Sequence, residues 1–188
     1  MLKRMMSDLV PTAMTWRIVA SGILLLLVLT LSLVACASST SIPAATPTLN
    51  PKPKPSGLIE ATWIEPQVDG DIVSFPVSEV ENNWNIHFKL EAEDGDINFM
   101  AYIVDGEIYV RSAVCPRGSR RGFSLINDVL ICNGCSSAFK AKTGEGIEGA
   151  CVGFPKAPVP YKITNGNIIM DGGDLIAAHQ NTLKPGLP

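Results

Sequence analysis

Apolar and polar positions alternate in short segments along the last two thirds of the chain, and turn residues separate these segments. In the segment 101–110, two apolar runs flank Asp105-Gly106. This dipeptide suits a two-residue type I′ turn, because that turn needs positive φ at both central residues. Asn165-Gly166 repeats the arrangement within the segment 161–170. The pattern predicts two β-hairpins.

Further short strands are predicted before the first hairpin. Residues 84–90 alternate apolar and polar side chains, and Asp69-Gly70 precedes a β-branched and aromatic run at 72–75. Helical periodicity of useful length is absent after residue 57, apart from a weak stretch at 174–180. Closely spaced turns and short β-rich segments are typical of antiparallel sheet proteins. We therefore predict a mainly β domain, either a small antiparallel sandwich of two packed sheets or a small barrel.

The N-terminal part has a different pattern. Lys3, Arg4 and Arg17 precede the segment 18–35, which carries no charge and is dominated by Leu, Val and Ile. A basic segment followed by a long apolar run predicts a signal peptide or a single membrane helix over residues 1–35. Basic residues flanking such a run stay on the inner side, so the remainder is expected on the extracytoplasmic face of the cell membrane.

The apolar run ends at Leu33-Val34-Ala35-Cys36. This tetrapeptide resembles the lipobox of bacterial lipoproteins, in which the cysteine is acylated and becomes the mature N-terminus. The resemblance implies that Cys36 is a lipidation site and that the chain is lipid-anchored. The alternative is an uncleaved membrane helix that ends in an ordinary cysteine.

Residues 36–57 are rich in Ser, Thr, Ala and Pro, and they end in alternating Pro and Lys. Such a segment buries little apolar surface and favours extended conformations, so it predicts a linker. Residues 58–188 remain, roughly 130 residues, which suits one compact β-rich domain.

Charge excludes one class of partner. Lys3, Arg4 and Arg17, together with Asp8, precede Cys36, so the chain from Cys36 onward has 12 basic and 17 acidic side chains and a net charge of −5. Nucleic-acid affinity depends on basic side chains that neutralise phosphates, so no nucleic-acid partner is expected. The sequence also contains neither a nucleophile elbow nor paired carboxylates, which favours an electron carrier or a metal-binding protein over an enzyme.

Four cysteines lie close together in the predicted domain. Cys132-Asn133-Gly134-Cys135 is a C-x-x-C motif that can place two sulfurs on one metal, with Gly134 permitting the turn. Cys115 and Cys151 lie on either side of it. Four thiolates can hold either a zinc ion or an iron-sulfur cluster. The domain's two histidines, His87 and His179, are interpreted as a strand residue and a tail residue.

Disulfides are the alternative to metal, because an even number of cysteines in an exported domain is their usual sign. In that case the domain is a disulfide-stapled surface or binding module with no redox role. Proteins that carry a preassembled cofactor are usually exported through a twin-arginine signal. The basic segment before the apolar run has Lys3-Arg4 but no twin-arginine motif. This keeps the disulfide module and a zinc-stabilised interaction domain open as alternatives.

The residues around the cysteines resemble a Rieske iron-sulfur domain. The matching stretches are 114–119, 129–145, 153–155 and 158–163. Cys115 and Cys132 match the two cysteine positions of that family, whereas its two histidine positions fall on Arg117 and Cys135. The resemblance implies an iron-sulfur site with thiolates in place of imidazoles. Arg117 lies beside Cys115, and two interpretations of it stay open: it offsets part of the negative charge of the site, or it is a solvated loop arginine.

The chain is also similar to the membrane iron-sulfur family called FtrD-like, which is associated with bacterial iron uptake. That family carries two C-x-x-C pairs and a Gly-Gly-Cys. The second pair matches Cys132 and Cys135, Cys151 matches the last cysteine, and Cys115 matches the second cysteine of the first pair. Ser112 stands at the remaining cysteine position.

The FtrD-like resemblance implies a low-potential electron carrier or metal-handling protein that works with a membrane iron permease or a membrane redox partner. Its implied cofactor is an iron-sulfur cluster, either [2Fe–2S] or [4Fe–4S]. Zinc, or no metal at all, remains the alternative.

Overall fold

The computed structural model describes residues 49–92, 95–117 and 121–186. The predicted signal peptide or anchor at 1–35 and the predicted lipidation site Cys36 lie outside these residues. Among the described residues, no helix is both long and apolar enough to cross a membrane.

The described residues form twelve strands and two helices. In chain order these are β1 (Thr62–Trp63), β2 (Gln67–Asp69), β3 (Ile72–Pro76), α1 (Val77–Asn83), β4 (Asn85–Leu90), β5 (Ile97–Val104), β6 (Glu107–Ser112), β7 (Phe123–Ile126), β8 (Val129–Cys132), β9 (Ala138–Lys140), β10 (Gly146–Glu148), β11 (Lys162–Thr164), β12 (Asn167–Asp171) and α2 (Gly172–Thr182).

Within the described ranges, these strands make three four-stranded sheets. The central sheet has the order β1-β4-β5-β6, the cysteine sheet has the order β10-β9-β8-β7, and the third sheet has the order β11-β12-β3-β2. All paired strands are antiparallel except β1 and β4, which run parallel with Thr62 opposite Ile86. The predicted mainly β fold with antiparallel strand pairing is confirmed. The described strands form three small sheets, whereas two packed sheets or a small barrel were expected.

The two predicted hairpins are present with the expected turn geometry. Asp105 and Gly106 have φ of 52° and 79°, and they join β5 to β6. Asn165 and Gly166 have φ of 51° and 75°, and they join β11 to β12. Positive φ at both central residues is the requirement of a type I′ turn. The turn residues therefore determine the register of both strand pairs.

The helices differ in part from the sequence pattern. The weak helical stretch at 174–180 is the middle of α2, whose first turn is capped by the Asp171 carboxylate accepting from Gly173 N–H at 2.8 Å. Helix α1 was not predicted. It has seven residues and buries Val77 and Val80, so it is too short to display a helical period.

Aromatic side chains join the central sheet to the third sheet. Phe75 on β3 lies 5.2 Å from Phe88 on β4 between ring centroids, and Phe88 lies 5.4 Å from Phe99 on β5. All three rings are buried. Burial of each large apolar side chain stabilises a fold by about 1.5–3 kcal/mol, so this stack is a principal contact between the two sheets.

The described end of the predicted linker, residues 49–57, contacts the domain. Lys52 N–H donates to Glu81 O at 3.0 Å, and Trp84 Nε1 donates to Lys52 O at 2.8 Å. Leu49 packs against the core. This stretch therefore lies along helix α1 and its C-terminal cap.

His87 is a fully buried histidine on β4. Phe123 N–H donates to its Nε2 at 3.4 Å, so the ring proton is assigned to Nδ1, which has no hydrogen-bond partner in the described part of the chain. A Cβ at Gly122 would lie 2.5 Å from the imidazole ring, so the packing is tight. Burial lowers the pKa of His87 to about 3.

We expect the free energy of unfolding to decrease as the pH is lowered from 6.5 towards 3. The unfolded chain protonates His87 near its ordinary pKa of 6.5, whereas the folded protein binds this proton only near pH 3. The resulting slope is at most about 1.4 kcal/mol per pH unit. Urea unfolding at pH 7, 6 and 5 should show a shallower pH dependence for His87→Gln than for wild type. His179→Gln is the comparison variant, because His179 is only partly buried and burial lowers its pKa in the same direction. Equal slopes for wild type and His87→Gln would contradict this account.

Candidate metal centre

Three loops bring the four cysteines to one place. Cys115 lies between β6 and β7, Cys132 ends β8, Cys135 lies in the β8–β9 loop, and Cys151 follows β10. Cys115 Sγ is 3.8 Å from Cys135 Sγ and 3.6 Å from Cys151 Sγ, and Cys135 Sγ is 3.7 Å from Cys151 Sγ. The sulfurs of Cys115, Cys132 and Cys135 lie within 4.8 Å of one another.

The spacing of the sulfurs suits metal ligands. Four thiolates around one tetrahedral ion, each at about 2.3 Å from it, lie about 3.8 Å from one another. A disulfide needs two sulfurs at about 2.05 Å, and the four cysteines that the structure describes are all free. The same four cysteines could also hold a cluster with more than one iron. Their sulfurs would then lie further apart than on a single ion. The donor set therefore fits an iron-sulfur cluster or a zinc ion, and the geometry gives no support to disulfides.

The tight loop after β8 positions two of the sulfurs. Cys132 N–H donates to Ser137 O at 2.9 Å, and Ser136 N–H donates to Cys132 O at 2.9 Å. The positive φ of this loop is 55° and lies at Ser136, not at Gly134. The chain turns at Ser136 and then enters β9.

Ser137 is a buried residue of the site that the sequence analysis did not identify. Its Oγ accepts from Cys151 N–H at 3.0 Å and forms a hydrogen bond of 3.2 Å with Cys135 Sγ. Gly149 makes room for it, because a Cβ there would lie 2.6 Å from the Cα of Ser137. A hydroxyl two residues after the C-x-x-C motif was the available sequence signal. Ser137 thus joins the second and third cysteine loops.

The thiols of Cys132, Cys135 and Cys151 differ in acidity. Burial raises the pKa of Cys132 and of Cys151 to about 11. Burial also acts to raise the pKa of Cys135, but hydrogen bonds from the Ser137 side chain and backbone, and from neighbouring thiols, outweigh it and lower the pKa to about 6. Because Cys135 is also only partly buried, it is the accessible thiolate of the metal-free protein at neutral pH.

We expect Cys135 to be alkylated before Cys132 and Cys151 in metal-free, reduced protein at pH 7. The thiolate is the reactive form of cysteine, and its fraction follows the pKa. Mass spectrometry of peptides after brief iodoacetamide treatment measures the order of reaction. The rate at Cys135 should fall as the pH is lowered through about 6.

Ser137→Ala is the matched variant for this measurement, because it removes one hydroxyl next to Cys135. A hydroxyl that donates to a thiolate stabilises the charged form, so its loss should move the alkylation profile of Cys135 to higher pH. An unchanged profile in Ser137→Ala, or Cys151 reacting first in wild type, would contradict the assignment.

A buried hydrogen-bond network lies beside the cluster. Arg111 on β6 donates from Nε to Tyr102 Oη at 3.0 Å and from Nη1 to Lys156 O at 2.8 Å, and its Nη2 donates to Lys142 O. Tyr102 Oη donates to Ala141 O at 2.6 Å, and burial raises the pKa of this tyrosine. These bonds fix β6, the strand that leads to Cys115, against both the segment that follows β9 and the segment that follows Cys151.

The remaining predicted site residues have different environments. Arg117 is exposed. Ser112 is fully buried, and its hydroxyl has no hydrogen-bond partner among the described residues. His87 lies on β4 and His179 on α2, and the group of potential metal ligands found in the described ranges contains only cysteines.

Comparisons with solved structures found ferredoxin-related chains. A ferredoxin of Sphingomonas yanoikuyae B1 is 21% identical, with 51% of this chain and 92% of that chain covered and a TM-score of 0.42. A chain from the complex of reduced oxygenase and oxidised ferredoxin in carbazole 1,9a-dioxygenase is 18% identical, with 55% of this chain and 95% of that chain covered and a TM-score of 0.44. The comparison with curated proteins returned no match.

The comparison with protein families matches residues 80–181 to the family described as membrane iron-sulfur containing protein FtrD-like. The match covers more than half of the 188 residues and includes all four clustered cysteines. The similarity predicted from the cysteine motifs is thereby confirmed. The chain belongs to the FtrD-like family of membrane iron-sulfur proteins.

Proposed function

We propose that this protein is an electron carrier whose iron-sulfur cluster is held by Cys115, Cys132, Cys135 and Cys151. The observation that carries the proposal is the convergence of the sulfurs, three of which are 3.6–3.8 Å apart in a triangle. The chain's family, whose description names an iron-sulfur protein, supports iron as the metal. The cluster supplies one-electron chemistry when it is bound. The protein's own contribution is to hold, bury and hydrogen-bond the thiolates.

Burial of the sulfurs supports electron transfer. Cys115, Cys132 and Cys151 are buried, whereas Cys135 is partly exposed. These four cysteines would hold a cluster with three buried ligands and one ligand near the surface. A cluster bound there would supply one-electron chemistry, and the buried side chains would exclude water from it.

With four thiolate ligands, the reduction potential is expected to be lower than that of a Rieske centre, which has two imidazole ligands. Replacement of two imidazoles by thiolates leaves more negative charge on the centre and favours the oxidised state. An all-cysteine [2Fe–2S] centre is therefore expected near about −400 mV. Anaerobic redox titration of the purified full chain, followed by absorbance and electron paramagnetic resonance, tests this. A reversible one-electron transition in that region supports the proposal, and a chain that accepts no electron contradicts it.

A zinc-stabilised interaction domain is the second candidate. It is favoured by one observation, since three of the four sulfurs already have the spacing of ligands on a single tetrahedral ion. Zinc has no redox chemistry, so this candidate gives a colourless protein with one zinc per chain. Metal analysis of protein purified without oxygen separates the two.

We further propose that the domain is attached to the extracytoplasmic face of the cell membrane and serves a membrane partner. The family name supports membrane association. An iron permease or a membrane reductase is the partner class that we propose, because the centre needs a donor and an acceptor of single electrons. Cells that carry Cys132→Ser should lose ferrous or ferric iron uptake if the partner is a permease, and unchanged uptake would point to a reductase.

Lipidation of Cys36 is the expected mode of attachment. The apolar run ends on Leu33-Val34-Ala35-Cys36 and is followed by a polar segment. Metabolic labelling with palmitate should mark wild type and should not mark Cys36→Ser. Equal labelling of the two, or a mature protein of precursor size, would contradict lipidation and favour the uncleaved helix.

A further inference from the structure

Lys156 is a lysine whose side chain is completely buried next to the cysteine cluster. Its Nζ donates to the backbone carbonyl of Val114 at 3.0 Å, and Val114 immediately precedes Cys115. The same Nζ lies 4.4 Å from the ring centroid of Phe139 and 5.3 Å from that of Phe123. The ammonium group therefore sits at the base of the first cysteine loop, on the faces of two core aromatic rings.

No carboxylate partner of Lys156 is found in the described part of the chain. The ion pairs there involve the more exposed Lys89, Lys140 and Lys142. An isolated buried ammonium is costly, so a buried charge is normally paired. Burial lowers the pKa of Lys156 to about 8, and the charges that act in the opposite direction are those of the four cysteine sulfurs. The thiolates thus supply the negative charge that this site otherwise lacks.

Two hydrogen bonds of its own backbone hold Lys156 in position. Its N–H donates to Gly144 O at 2.8 Å, and its carbonyl accepts from Arg111 Nη1 at 2.8 Å. Gly144 has no side chain at this contact, where a Cβ would lie 2.2 Å from Lys156 O. These contacts fix the backbone of Lys156 beside Gly144 and Arg111.

We propose that Lys156 is the built-in counter-charge of the four-thiolate metal centre. This inference rests on the proposed metal site. Four thiolates carry four negative charges, and a zinc ion or an oxidised two-iron core neutralises two of them. A fixed cation in the protein interior offsets part of the remainder, where screening by water and salt is weak. Arg117, which was interpreted either in this role or as a solvated loop residue, is exposed and therefore more strongly screened.

Two consequences follow for the loaded protein. The counter-charge strengthens binding of any metal that leaves the centre negative, and it favours the state with one additional electron. In metal-free protein the thiols can be protonated, so the buried charge of the lysine is offset to a smaller extent than in the loaded centre. Removing it should therefore weaken the loaded state and leave the metal-free state as stable as before, or more stable.

The test compares wild type, Lys156→Met and Lys162→Met as full chains in detergent. Met is apolar and unbranched, and its side chain is one heavy atom shorter than that of Lys. Lys162 is an exposed lysine on β11 that controls for the loss of one positive charge. Competition with a chelator measures the zinc affinity. Titration with a one-electron reductant, after iron and sulfide loading, measures the midpoint potential. Thermal unfolding measures the stability of the metal-free protein.

We expect Lys156→Met to bind zinc at least tenfold more weakly than wild type. We also expect its redox equilibrium to shift at least tenfold towards the oxidised state, which is about 59 mV for one electron. Lys162→Met should stay within twofold of wild type in both, and metal-free Lys156→Met should melt no lower than wild type. Equal zinc affinity and potential in Lys156→Met, or a lower melting temperature of its metal-free form, overturns the proposal.

The outcomes separate this proposal from the proposed function. A chain that takes up no iron but binds zinc more weakly in Lys156→Met rejects the electron carrier and supports the counter-charge. A redox-active chain whose potential is the same in wild type and Lys156→Met supports the electron carrier and rejects the counter-charge. Wild-type protein that binds neither metal rejects both.

Discussion

Replacing any one of the four clustered cysteines by Ser should abolish the metal centre. Each sulfur lies within 4.8 Å of at least two others, so none has a substitute at the same place. A serine hydroxyl is deprotonated far less readily than a thiol and binds zinc or iron weakly. We expect at least about a 100-fold loss of metal affinity and loss of any visible chromophore for each variant, measured by metal content and absorbance of protein purified without oxygen. The four variants are Cys115→Ser, Cys132→Ser, Cys135→Ser and Cys151→Ser.

Ser112→Ala is the control for this series. Ser112 occupies the position of the family's missing cysteine, and its buried hydroxyl has no partner within the described ranges. Its removal should leave metal content and absorbance nearly intact, and it can stabilise the fold because an unsatisfied buried hydroxyl costs about 1–3 kcal/mol. A cysteine variant that keeps full metal content would show that this cysteine is not a ligand. Loss of metal in Ser112→Ala would show that the site has a fifth essential residue.

Gly144→Ala should destabilise the fold by about 3 kcal/mol or more. Gly144 has φ of 79°, which is costly for alanine, and the new Cβ would lie 2.2 Å from Lys156 O and 2.8 Å from Arg111 Nη1. The first contact is with backbone, so the hydrogen bond between Arg111 and Lys156 must break or shift. Left-handed strain alone costs about 1–2 kcal/mol, and the loss of a buried charged hydrogen bond adds about 1.5–3 kcal/mol. The free energy of unfolding in urea measures the total.

Gly106→Ala separates strain from the steric clash. Gly106 has the same φ of 79°, but a Cβ there meets nothing within 4 Å. This variant should lose only about 1–2 kcal/mol, which is the cost of the backbone conformation. Equal losses in the two variants would contradict the claim that the contact between Gly144 and Lys156 is tightly packed.

The strand pairs were predictable because their signals are local. Asp105-Gly106 and Asn165-Gly166 specify their turns through backbone preference within two residues, and the alternating segments on either side extend the pairing. Family membership was predictable for a similar reason, since the spacing of Cys132, Cys135 and Cys151 is written directly in the chain.

The features that the sequence did not reveal depend on contacts between distant segments. Lys156 would ordinarily be assigned to the surface, and its burial results from packing on Phe123 and Phe139 and from the hydrogen bond to Val114. Helix α1 has too few residues to show a period. Ser137 acquires its role only when the loop after β10 returns to place Cys151 N–H on its hydroxyl.

Iron and acid-labile sulfide analysis of the full chain purified without oxygen, together with its visible absorption spectrum, tests the central claim most directly. We predict iron and sulfide in equal amounts and a broad visible absorption that bleaches on reduction. The four cysteines should be inaccessible to alkylation until the metal is removed. A colourless protein that contains zinc, or one without metal whose four cysteines react only after disulfide reduction, would contradict the iron-sulfur account.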